Sequence, residues 1–85
     1  MNTLETLKQI IDSRCNFDIE MSEVVEGASL NHDLGLDSLD TVELCMEIER
    51  ELDIQISDVE VESWRFVDDV INTINEHEKI RTQNV

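Results

Sequence analysis

Apolar residues return at steps of three and four along a chain that contains no proline, and this period limits what it can fold into. Leu4, Leu7, Ile10 and Ile11 make one such stripe. Leu44, Cys45, Ile48 and Leu52 make a second, and Val67, Val70, Ile71 and Ile74 a third. At 3.6 residues per turn each set falls on one helical face. The fold class expected is all-α: a small four-helix bundle of three main helices and one short helix, with a long loop between helices 1 and 2.

Caps place the ends. The first helix is expected over Thr3 to Arg14, with Asn2 and Glu5 spaced as a capping box. The second begins at Ser38 and ends near Leu52 or Asp53. A short third starts at Ser57, which pairs with Glu60 in a Ser-x-x-Glu box, and a fourth follows Ser63. The connection from Asn16 to Asp37 holds both glycines, Gly27 and Gly35. Structureless loops beyond about 12–15 residues usually carry function. Ile19, Val24, Val25, Leu30, Leu34 and Leu36 are expected to pin this one to the core. Residues 1–78 read as a single domain and residues 79–85 as a polar, frayed tail.

With 21 acidic residues against 6 Lys and Arg, the net charge of the 85-residue chain is −15. A chain this short buries only about 60% of its unfolded surface, enough for one small core. Phosphate binding needs clustered Lys and Arg, so the charge argues against nucleic acid. It argues equally against an anionic membrane surface and favours partners that present basic patches. Hydrophobic content of 40%, periodically placed, counts against disorder. Cys15 and Cys45 form no CxxC pair and read as reduced thiols. Neither a signal peptide nor a membrane span is legible, and a cytoplasmic, monomeric protein is expected.

The second helix carries most of the functional signal. Leu39, Val42 and Met46 form an apolar strip separate from the core stripe, within an arc of roughly 60°. Asp40, Glu43, Glu47 and Glu51 run along its edge. Apolar residues beside an acidic ridge suit a docking helix: the first supply affinity, the second steering and register. A solvated charged face beside a wide core stripe gives the same pattern. Ser38 follows Asp37 at the helix start, where free N–H groups and the positive dipole end favour an anion such as a phosphate ester. Serine is also an ordinary N-cap.

Read as one segment, Asp33-Leu34-Gly35-Leu36-Asp37-Ser38-Leu39-Asp40-Thr41-Val42-Glu43-Leu44 closely resembles the phosphopantetheine attachment site of acyl carrier proteins. The likeness continues upstream through Ile19, Val24, Ala28, Ser29 and Leu30. Downstream it runs through Glu49, Glu51, Ile54, Ile56 and the Trp64-to-Ile74 helix, covering about residues 2 to 78. The resemblance implies that a phosphopantetheinyl transferase esterifies Ser38, flanked by Asp37 and Leu39, with 4'-phosphopantetheine. The arm's thiol then carries an acyl group as a thioester. It also implies contacts of Leu39, Val42, Glu43, Met46 and Glu49 with acyl-processing or acyl-transfer enzymes, to which the residue pattern adds Asp40 and Glu47. The likeness implies a free-standing carrier that catalyses nothing itself. It leaves fatty-acid, polyketide and lipid-modification pathways open, and the aromatics Trp64 and Phe66 point to a specialised rather than a housekeeping one.

The chain departs from the family's pattern near the fourth helix. Trp64 and Phe66 stand where members often have a smaller aliphatic residue and a Thr. Trp64 is either a core residue anchoring the short helix or, with Ile48, Ile56 and Val61, a wall that narrows the acyl cleft toward a short or polar cargo. An enzyme would need a base for Ser38. The chain has only His32 and His77 and no Gly-x-Ser-x-Gly elbow. Neither a calcium-loop register nor zinc spacing is present, so no metal is expected. Two further readings stay open: a peptidyl or aminoacyl carrier, and a carrier-like interaction module in which Ser38 only caps its helix.

Overall fold

The computed structural model describes residues 2–83, with side chains as far as Lys79. Four α-helices follow one another: α1 (Thr3–Arg14), α2 (Ser38–Leu52), α3 (Asp58–Glu62) and α4 (Val67–Gln83), with a 3₁₀ turn at Met21–Glu23 between α1 and α2. The described residues form an all-helical bundle, with no strand among them. The helix ends obey the sequence. Asn2 caps α1 by accepting the Leu4 N–H at 2.9 Å, although the reciprocal half expected from Glu5 does not form among the described residues. Ser57 and Glu60 form a complete capping box on α3. At the far end of α2, Asp53 takes the left-handed conformation and its N–H returns to the Glu49 carbonyl.

The three apolar stripes meet. Leu7, Ile10 and Ile11 of α1, Leu44, Cys45 and Ile48 of α2, and Val67, Val70 and Ile74 of α4 are all buried. Helix α1 packs on α2 and α4, while α3 leans on α2. The long connection joins the same core through Val24, Ala28, Leu30, Leu34 and Leu36. Ile19 is half-buried against it. Val25, expected to help pin the loop, is instead 51% exposed. Its neighbour Val24 already fills the inward position at the centre of a tight turn, where the Val25 N–H returns to the Glu23 carbonyl at 3.0 Å and the chain carries Val25 outward.

A backbone clasp that no strand pattern announces holds the loop down. Ser29 pairs with Phe66 as an isolated antiparallel bridge. Leu30 N–H donates to Arg65 O at 3.0 Å, Val67 N–H to Ala28 O at 2.9 Å, and Asp68 N–H to Glu26 O at 3.0 Å. Helix α4 therefore starts at Val67 rather than directly after Ser63. The Asp69 carboxylate accepts both the Arg65 and Phe66 N–H groups at 2.8 and 2.9 Å and closes the new start. At its other end α4 continues to Gln83, through most of the segment expected to fray from residue 79. No Gly or Pro interrupts it there. Residues 84 and 85 of that tail lie outside the described residues.

Candidate functional site

The loop before α2 is a set of turns that each use a particular side chain. The Asp33 carboxylate accepts the Ser29 N–H at 2.7 Å, and the Ser29 hydroxyl accepts the His32 N–H at 3.0 Å. Asn31 reaches forward to donate to the Leu36 carbonyl at 3.3 Å. Leu34 and Leu36 both turn into the core. Gly35 between them has φ +68°, the left-handed region that an L side chain rarely takes. These contacts aim the chain into α2.

Asp37, not Ser38, caps that helix. Asp37 Oδ1 accepts the Asp40 N–H at 2.8 Å, and Asp40 Oδ2 accepts the Asp37 N–H at 3.2 Å, which completes a capping box. Ser38 is thereby left as the first helical residue, exposed, with no hydrogen bond from its hydroxyl to any described residue. The Asp40 and Thr41 N–H groups are taken by Asp37. Those of Ser38 and Leu39 have no acceptor among the described residues and lie at the positive end of a helix of 15 residues. A phosphate ester on Ser38 Oγ therefore fits: the oxygen is free, and two N–H donors and the dipole favour the anion. No hydrogen bond joins His32 to Ser38, and His77 is engaged with Glu60 at 3.0 Å.

The outward strip of α2 is exposed as its period predicts: Leu39 is 78% exposed, Met46 51% and Val42 49%. Asp40 is partly buried by its capping role, and Glu43 is exposed beside the strip. Glu47 and Glu51 are ion-paired, the first with Arg50 at 3.0 Å and the second with Arg14 at 2.6 Å. Glu49 is turned elsewhere. Its carboxylate accepts the Ile56 N–H at 2.8 Å and braces the α2–α3 junction.

A groove of about 820 Å³ opens beside Ser38, between the loop, the first turns of α2 and the α3–α4 link. Val61 and Trp64 line it, together with Ser38, Val42, Arg65 and Phe66. Ile48 and Ile56, expected on the same wall, are not there: both are buried in the core. Trp64 is itself almost wholly buried, and its indole N–H donates to Thr73 Oγ1 at 2.8 Å. Trp64 thus closes the interior while Phe66, 48% exposed, edges the groove. The aromatic pair was visible in the sequence; the Ser29–Phe66 bridge that carries Phe66 to Ser38 was not.

Both thiols are held protonated at neutral pH. Burial, then the Glu47 and Glu43 carboxylates, push Cys15 up to about 11. Burial, then Glu49, Asp58 and Glu60, do the same to Cys45, also to about 11. Neither is disulfide-bonded. Among the described residues there is no cluster of His, Cys, Asp and Glu able to hold a metal ion, and no helix long and apolar enough to cross a membrane.

A family model described as "Phosphopantetheine attachment site" matches residues 5–74, which takes in the loop, all of α2 and α3, and α4 as far as Ile74. With a free serine at a capped helix start inside that span, the chain belongs to the phosphopantetheine attachment family, the carrier domains on which 4'-phosphopantetheine is covalently attached.

Proposed function

We propose that this chain is an acyl carrier in which Ser38 Oγ bears the 4'-phosphopantetheine arm, flanked by Asp37 and Leu39, within a single carrier domain of residues 1–78. The observation that carries the reading is the division of labour at the start of α2. Asp37 takes the capping role, so the Ser38 hydroxyl is free and points to solvent. That same observation weakens the module reading, which required Ser38 to be the cap. When bound, the arm supplies a thiol that holds an acyl group as a thioester. The chain's own residues position the attachment oxygen, favour the phosphate charge and present a docking face; they turn over no substrate.

Leu39, Val42 and Met46, with Asp40, Glu43 and Glu47 beside them, form that face. Its partners are the transferase and acyl-processing enzymes with basic patches. Glu49 contributes to the junction rather than to the face, because its carboxylate is held by Ile56. Asp37 before the serine and the net charge of −15 lean toward acyl rather than peptidyl cargo. Two cysteines, both free, suit a reducing, cytoplasmic setting. The test is intact mass before and after incubation with coenzyme A and a broad phosphopantetheinyl transferase, with Ser38→Ala alongside. A gain of one phosphopantetheine on the wild type alone is expected. The same gain on Ser38→Ala, or none on folded wild type with either a broad or the cognate transferase, overturns the reading.

A further inference from the structure

We propose that the groove beside Ser38 is a subsite for a short acyl group ending in a carboxylate, with Arg65 as its anion partner; this rests on Ser38 being the attachment point. Three observations converge on it.

First, the interior is closed. Ile48 and Val67 have no exposure, Trp64 has 4%, and the indole is tied to Thr73, so a chain entering between the helices would have to displace buried side chains. Second, the open space is on the outside, and Ser38 is on its wall. An arm folded back from Ser38 would lie along Val42, Val61 and Phe66, an apolar floor suited to a few methylenes.

Third, Arg65 on the same wall is placed and unpaired. Arg14 and Arg50 each hold a carboxylate. Arg65 has no carboxylate partner among the described residues, in a chain with 21 acids. Its Nη1 donates instead to the carbonyl oxygens of Glu62 and Trp64, at 3.1 and 3.5 Å, and the backbone carrying it is clamped by Asp69 and Leu30. The remaining donors of the guanidinium fork match a carboxylate. Two carboxylates also line the groove. Asp37 is committed to its cap, and Glu62 anchors Arg65 through its main chain while its acid group stays exposed. Glu62 is the group that would draw an ammonium instead, so the cargo's sign is the point to test.

The protein is loaded on Ser38 with the bare arm and with butyryl, succinyl and γ-aminobutyryl arms from the matching coenzyme A thioesters. Mass spectrometry checks each load, and NMR follows the Arg65 Nε–H and Phe66 ring signals. Succinyl is expected to shift both. Butyryl should move Phe66 alone, and neither the bare arm nor the ammonium cargo should move Arg65. In Arg65→Gln the succinyl load should keep the Phe66 shift but lose the preference over butyryl. An Arg65 shift already complete with the bare arm overturns the proposal, because the anion is then the phosphodiester. Equal shifts with butyryl or γ-aminobutyryl, or none with any cargo on a loaded protein, overturn it too. Failure to load at Ser38 overturns it together with the carrier reading.

Discussion

Leu34 and Leu36 are both buried on either side of Gly35, whose φ of +68° is the left-handed conformation through which the chain joins them. A Cβ at Gly35 would meet nothing within 4 Å. Gly35→Ala should therefore cost only the left-handed backbone penalty, about 1–2 kcal/mol. A urea-unfolding series checks this, and a much larger loss would mean the loop is packed more tightly than described. Glu60 makes a second residue-scale case. Its carboxyl is held below the usual range, first by the Ser57 N–H, which outweighs the opposing effect of burial, and then by the Ser57 hydroxyl and His77. A lowered folded-state value means that the stabilisation is present above the ordinary glutamate range and lost as pH falls through the folded value. Glu60→Gln should lower the thermal midpoint at neutral pH, and its gap from wild type should close in acid. A gap that stays constant with pH would assign the effect to shape rather than charge.

At the scale of elements, α1, α2 and α3 could be read from the chain because their signals are local: a cap, a stripe and a stop. The exposed strip on α2 was legible for the same reason, since period alone separates Leu39, Val42 and Met46 from Leu44, Cys45 and Ile48. The start of α4 was not. Residues 64–66 are drawn into pairing with the loop around Ser29, and that contact joins segments more than thirty residues apart. Glu49 shows the same limit, because its partner Ile56 N–H lies across a turn. The docking face allows a direct test. Val42→Asp with Glu43→Lys replaces exposed side chains, so stability should stay within about 0.5 kcal/mol. Loading by the transferase should nevertheless fall roughly tenfold in kcat/KM, the equivalent of about 1.4 kcal/mol. Unchanged loading kinetics would remove this face from the interface with the transferase.

For the whole molecule, charge sets the conditions under which the bundle holds. A net −15 on 85 residues, within a radius of gyration of 12.1 Å, means that like charges repel in the compact state. The thermal midpoint should rise with added monovalent salt as that repulsion is screened; a flat or falling midpoint would show that the ion pairs outweigh it. The groove is a whole-molecule feature as well. Three separate segments build it, and of the residues the sequence suggested, Trp64 and Val61 line it while Ile48 and Ile56 pack into the core. What unites the scales is one free hydroxyl at the start of α2. Fragment mass spectrometry of the transferase-loaded protein tests it most directly, by locating the added mass within the peptide that holds Ser29, Ser38 and Thr41. The added phosphopantetheine should map to Ser38 alone, whereas a mass on Ser29, Thr41 or any other residue would contradict the assignment of the capped helix start as the attachment site.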